Sequence, residues 1–290
     1  MSTARAGHRL PGLLVVGLVL AAVVVVAGLQ ARTVAGTAVL GRVPGAPFVG
    51  QCLLEAPPPR GGDTPLRLGG CSKLHYGEVA AVLGANGPAD PADSCTDQDD
   101  FLGWQPLDLT ASHASWHPVD IPVTALVPTA LQRSFGQHWL ACVVTPLVSG
   151  SSYAGSVRGV LATGRVPAAF AECTAGLYVP MGPISCLEPH PYELFGRAQL
   201  PDTFQDQSGL DADCRLIVSA ATRMPDVTAG GELDVRAVPF HENSTGITVL
   251  GLPDGPSDVR AQAVCLVGVT GDRLLTASLH GLGSAPLPWA

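Results

Sequence analysis

Cys71-Ser-Lys-Leu-His75-Tyr-Gly-Glu78-Val79 and Cys186-Leu-Glu-Pro-His190-Pro-Tyr-Glu193-Leu194 both read C-x3-H-x2-E followed by an apolar residue. Recurrence of this kind marks a repeated structural unit, so it decides how the rest of the chain is read. The surroundings agree on both sides. Val49-Gly50-Gln51-Cys52 precedes the first box as Phe170-Ala171-Glu172-Cys173 precedes the second. Cys95 answers Cys214, Cys142 answers Cys265, and Ser156-Val157-Arg158-Gly159 answers Ser278-Leu279-His280-Gly281. The offsets are 121, 115, 119, 123 and 122 residues, a drift that short loop insertions explain. The sequence therefore reads as a tandem duplication, with one unit at 47–163 and its copy at 164–290. Ala162-Thr163-Gly164-Arg165-Val166-Pro167 is the linker.

Composition narrows the class. A length of 290 residues suggests about two domains. Apolar residues make up 47% and charged residues 14%, which excludes a disordered or coiled-coil chain. Net charge is −8, and every acidic residue lies after position 50. Residues 33–290 hold 13 basic against 24 acidic side chains, or −11. Such a body repels phosphate backbones, so no nucleic-acid partner is expected.

No charged side chain occurs between Arg9 and Arg32, and Leu13 to Leu29 is an apolar run. Residues 10–30 are long enough, at roughly 1.5 Å per residue, to cross a hydrocarbon core of about 30 Å as a helix. The rival reading is a cleaved secretory signal, but the run exceeds the roughly 7–15 residues of a usual signal core. The expectation is a single-pass anchor: cytoplasmic tail 1–9, transmembrane helix 10–30, stalk 31–46 and an extracytoplasmic body.

Eight cysteines divide four and four between the copies. In a chain delivered across a membrane, an even, repeated set reads as disulfides. Bonds confined to one repeat leave nine arrangements. The favoured one joins first to second and third to fourth: Cys52–Cys71, Cys95–Cys142, Cys173–Cys186 and Cys214–Cys265. The competing reading is metal, with Cys71 and His75, or Cys186 and His190, as ligands four residues apart. Structural zinc sites usually present tighter pairs such as C-x2-C, so no metal and no cofactor is expected.

His75 with Glu78 and His190 with Glu193 admit two roles. One is an acid/base or ligand pair on a turn entering a strand; the other, favoured here, is a polar pair that fixes the loop after the disulfide. The apolar residues that follow place both glutamates at strand starts. No Walker loop, H-E-x-x-H, G-x-G-x-x-G or G-x-S-x-G is present, so no enzyme is expected. Trp104 and Trp116 lie in Pro-rich stretches and are candidates for a binding patch or for core.

The remaining pattern predicts an α+β fold, two small similar domains with mostly antiparallel sheets and two disulfides each. A helix is expected over Cys214–Met224 behind Asp211 and Asp213, stopped by Pro225, with a shorter counterpart over Asp93–Gly103. Strands are expected over Trp139–Leu147, Ser156–Leu161, Leu233–Val238, Ala261–Val269 and Leu274–Leu279.

The boxes, together with Gly50-Gln51-Cys52, Trp104, Phe135-Gly136-Gln137-His138-Trp139-Leu140-Ala141-Cys142 and Ser156-Val157-Arg158-Gly159, resemble the septum formation family of actinobacterial membrane-anchored proteins. The likeness covers most of 47–160 and, more loosely, 168–285, where counterparts of Trp104 and Trp139 are missing. The resemblance implies a non-catalytic role in cell division or envelope biogenesis, with division or cell-wall proteins as partners; it sets no oligomeric state. The alternative is a module that captures a small molecule or cell-wall fragment at the repeat interface.

Overall fold

The structure is a computed structural model that describes residues 43–56, 66–84, 93–96, 98–112, 114–118, 121–177, 182–201, 206–242, 248–251 and 261–290. These residues all belong to one compact unit, Val43–Ala290. The tail 1–9, the segment 10–30 and most of the stalk lie outside the described residues. Among the described residues, no helix is long and apolar enough to cross a membrane.

Among the described residues, two antiparallel sheets organise the fold. The first contains β1 (Cys52–Leu53), β2 (Leu68–Gly69), β3 (Gly77–Gly84), β5 (Val123–Leu126) and β6 (Trp139–Val144), in the order β2-β1-β3-β6-β5. The second contains β4 (Ser115–His117), β7 (Glu172–Thr174), β8 (Tyr192–Gln199), β9 (Leu233–Glu242), β10 (Thr248–Leu250) and β11 (Ala261–Val269). Its order is β10-β9-β11-β8-β4, with β7 also on β8. Both β6 and β11 are apolar runs buried along most of their length, as central strands covered on both faces require. The fold is thus mixed α+β, with antiparallel sheets.

The two boxes occupy equivalent positions. The path β1-β3-β6-β5 recurs as β7-β8-β11-β9, antiparallel throughout. Cys52 stands opposite Glu78 as Cys173 stands opposite Glu193. Even the irregularities match. Val143 faces Val79 while Cys142 faces Ala81, so Ala80 is one extra residue. Leu266 faces Leu194 while Cys265 faces Gly196, so Phe195 is the extra residue there. A bulge at the same register point bends both central pairs alike.

The main helix, α4 (Gln207–Thr222), lies on the second sheet through Leu210, Cys214, Ile217 and Val218, spaced by four, three and one. It starts seven residues earlier than expected, because the Asp206 side chain accepts from the Gly209 amide at 2.9 Å and caps it. Asp211 and Asp213 are therefore inside the helix. The smaller helices are α1 (Asp99–Leu102), α2 (Ala130–Ser134) and α3 (Val160–Thr163). The expected helix over Asp93–Gly103 is split into a 3-10 turn at Asp93–Cys95 and α1, which ends at the left-handed Gly103. A side chain at Gly103 would meet the backbone of Gly159 at 2.8 Å, so α1 approaches the start of α3 only because glycine stands there.

Two expected strands are not strands. Ser156–Leu161 turns at Gly159 and enters α3, and Leu274–Leu279 contributes only bridges at Leu275, to His190 and Trp289. In both places the backbone amides that a strand would pair are used elsewhere, as shown below. Ala261–Val269 is a strand with the expected bounds.

The 163/164 division does not separate the two sheets. β4 pairs with the C-terminal half of β8, and Leu107, Leu109, Ala114 and Trp116 pack into the second core. Buried Asp213 holds this segment: its carboxylate accepts from the Ser112 amide at 3.0 Å, the Ala111 amide at 3.3 Å and the Ser112 hydroxyl. Asp213→Asn keeps one acceptor oxygen and turns an amide NH2 toward these donors. It is expected to lower stability by about 1–2 kcal/mol in urea unfolding and to speed proteolysis at 105–112.

Candidate functional site

All eight cysteines are paired. The bonds are Cys52–Cys71, Cys95–Cys142, Cys173–Cys186 and Cys214–Cys265. In each copy one bond ties the first strand to the loop carrying the histidine. The other ties the central strand to the helical segment.

The histidine and glutamate of each box do not bond to one another. Glu78 sits at the start of β3 and accepts from the Ser156 hydroxyl at 2.7 Å and the Val157 amide at 2.7 Å. Glu193 accepts from the Ser278 hydroxyl at 2.5 Å and the Leu279 amide at 2.8 Å. Each serine hydroxyl also accepts from the amide two residues on, Arg158 or His280, at 3.1 Å. The closing Ser-x-x-Gly recurrence is therefore the partner of the box glutamate, about eighty residues away. This bonding consumes the amides that the two expected strands would have offered.

His75 and His190 are each closed from solvent, and each Nδ1 stands 2.7 Å from the carbonyl of the residue two before, Lys73 or Glu188. A carbonyl only accepts, so Nδ1 is the donor in both contacts. Neither Nε2 has a hydrogen-bond partner. The His75 ring lies 4.1 Å from that of Tyr153, edge to face, and Tyr153 meets Phe170 in the same manner at 4.6 Å. Burial, with a smaller push from Glu78, raises the Tyr153 phenol above its ordinary value.

Cys52, Cys71 and His75, and likewise Cys173, Cys186 and His190, bring candidate ligand atoms within 4.8 Å of one another. Both sulfurs of each set are locked in a disulfide and carry no thiolate charge, the form that binds metal. What remains is one imidazole nitrogen, too few donors for an ion.

Glu193 and His280 form a second buried pair, with Glu193 Oε1 4.0 Å from His280 Nε2. Burial pushes the Glu193 carboxyl up to about 7, against the opposing pull of the Ser278 and Leu279 bonds. Burial depresses His280 to about 4. His190 is lowered in the same direction by burial, against its bond to Glu188. A raised carboxyl binds its proton more tightly when folded. Its contribution is present below about pH 4.5 and is lost as pH rises through 7. A depressed imidazole acts oppositely: its contribution is present above about pH 6.5 and is lost as pH falls through 4. The two offset one another between pH 4.5 and 6.5. Glu193→Gln is expected to leave only the histidine dependence, so stability falls on acidification. His280→Phe is expected to favour the Glu193 dependence, so stability rises as pH drops from 7 to 4.5. Urea midpoints of the two variants across pH 4–8 check the signs, with an amplitude on the order of 2 kcal/mol each.

The two tryptophans part company. Trp116 is on β4 with its indole in the second core. Trp104 follows α1 and lines a cavity between segments of the first and second copies. Asp213, Ser156, Ser278 and His280 were not legible as site residues. Only the recurrence of the closing motif pointed to the last three. Compared with protein-family models, curated proteins and solved structures, the chain matches none.

Proposed function

We propose that this chain is a non-catalytic extracytoplasmic protein, tethered to the cell membrane by residues 10–30 with its N-terminus cytoplasmic. Its partners are division or cell-wall proteins, as the resemblance to the septum formation family implies. The observation that carries this reading is the use to which the reactive residues are put. Every cysteine is consumed in a disulfide, and the box residues His75, Glu78, His190 and Glu193 are at most 1% exposed. A general base must reach a proton on its substrate, and these groups reach only their own fold. Disulfides persist in oxidising compartments, which supports a body outside the cytosol.

The test is a full-length chain produced in an actinobacterial host, with a C-terminal reporter that fluoresces outside the cytosol. A membrane-bound signal concentrated at the septum or growing wall, with a non-reducing peptide map returning the four cysteine pairs, is the expected result. Reporter signal spread through the cytosol, or free thiols in the mapped peptides, overturns it.

A further inference from the structure

A cavity of about 170 Å³ opens where the two copies meet. Its walls come from both: Trp104 and Ala162 from the first, Ile217 and His280 from the second, with Phe170 and Phe195 completing an aromatic lining. Among the described residues, no Asp, Glu, Lys or Arg lines it. An apolar cavity of about 150 Å³ holds a benzene-sized ring, and water needs two to four polar partners to settle in such a space. Of the polar side chains on the wall, Gln105 is exposed and the enclosed one is His280. Its side chain is 8% exposed, its Nδ1 makes no hydrogen bond, and its Nε2 stands 4.0 Å from Glu193, beyond hydrogen-bond reach. The ring is fixed in place by Phe195, whose centroid is 4.7 Å away.

We propose that this cavity is a binding site for a neutral, planar, single-ring molecule bearing one hydrogen-bonding group, which engages the His280 imidazole while its ring packs among Trp104, Phe170 and Phe195. The size suits one ring better than a cell-wall disaccharide, and among the described residues the walls carry no charge, which disfavours an ionic ligand. A neutral imidazole supplies both a donor and an acceptor, so a phenolic hydroxyl or a ring N–H meets the same need. Burial, which keeps His280 neutral near pH 7, is consistent with that pairing. The site is independent of which partners the protein has outside the membrane.

The probes are 4-fluorophenol and fluorobenzene, followed by fluorine NMR against the full chain in lipid nanodiscs. Two variants accompany the wild type. Ala162→Phe fills the cavity from its exposed rim, and His280→Phe keeps the ring but removes its nitrogens. The expected result is a saturable bound signal for 4-fluorophenol that Ala162→Phe abolishes at equal lipid content. His280→Phe should weaken 4-fluorophenol about tenfold and change fluorobenzene less than about twofold. Should His280→Phe fail to fold, the wild type alone decides the polar contact: 4-fluorophenol must bind about tenfold tighter than fluorobenzene. No saturable signal, a signal that survives in Ala162→Phe, or equal affinity for the two probes overturns the proposal.

Discussion

Replacing Cys214 and Cys265 together by Ala is expected to lower stability by roughly 4 kcal/mol, because the bond closes a loop with a sequence separation of 51 residues. The loop-entropy argument gives Cys173–Cys186, with a separation of 13, a smaller value of about 3 kcal/mol. Position adds to loop length. Cys214 faces the sheet from the middle of α4, and Cys265 lies on β11 opposite the β8 bulge, so the bond pins the helix to the central strand. Both sulfurs are fully buried, and alanine leaves a small void beside Leu210 and Ile217. Urea unfolding of the two double variants checks the ranking. Equal losses would show that the unfolded chain retains structure across the longer loop.

Glu78→Ala is expected to cost about 2–5 kcal/mol, because it strands two donors at about 1–3 kcal/mol each. The carboxylate is 1% exposed, and its two oxygens are the acceptors for the Ser156 hydroxyl and the buried Val157 amide. Alanine leaves both donors without an acceptor and opens a void next to Tyr153, whose phenol interacts electrostatically with Glu78. Ser156→Ala removes one donor and is expected to cost about 1 kcal/mol. A double-mutant cycle between the two positions should return a coupling of at least about 0.5 kcal/mol, as groups in direct contact do. A coupling of zero would mean that the serine hydroxyl turns to another acceptor. The same cycle between Glu193 and Ser278 tests whether the second copy works identically.

These two sets of residues account for what the repeated motif is for. A unit of about 115 residues rich in Gly and Pro buries a modest core, and covalent and polar staples supply what packing does not. In each copy the box holds the strand start against the closing turn, and the disulfides hold the loop and the helix. The copies differ at the junction cavity: Arg158 lies over the Phe101 ring in the first, at 5.1 Å, whereas its counterpart His280 is turned inward against Phe195. Both boxes keep the staple, and one position beside it differs.

Read alone, the sequence determined the α+β class with antiparallel sheets, the four disulfides and the strand Ala261–Val269. These rest on residue identity, self-comparison and apolar runs bounded by turn residues, which are local or self-comparing signals. Only the tertiary structure decided that Glu78 bonds to Ser156 rather than to His75, that Asp213 lies within a helix and anchors Ser112, and that β4 joins the second sheet. It also decided that Trp116 is core whereas Trp104 faces a cavity. The physical reason is sequence separation. Partners about eighty to one hundred residues apart leave no periodic trace, and an amide captured by a distant carboxylate looks, in sequence, like one that pairs with a neighbouring strand.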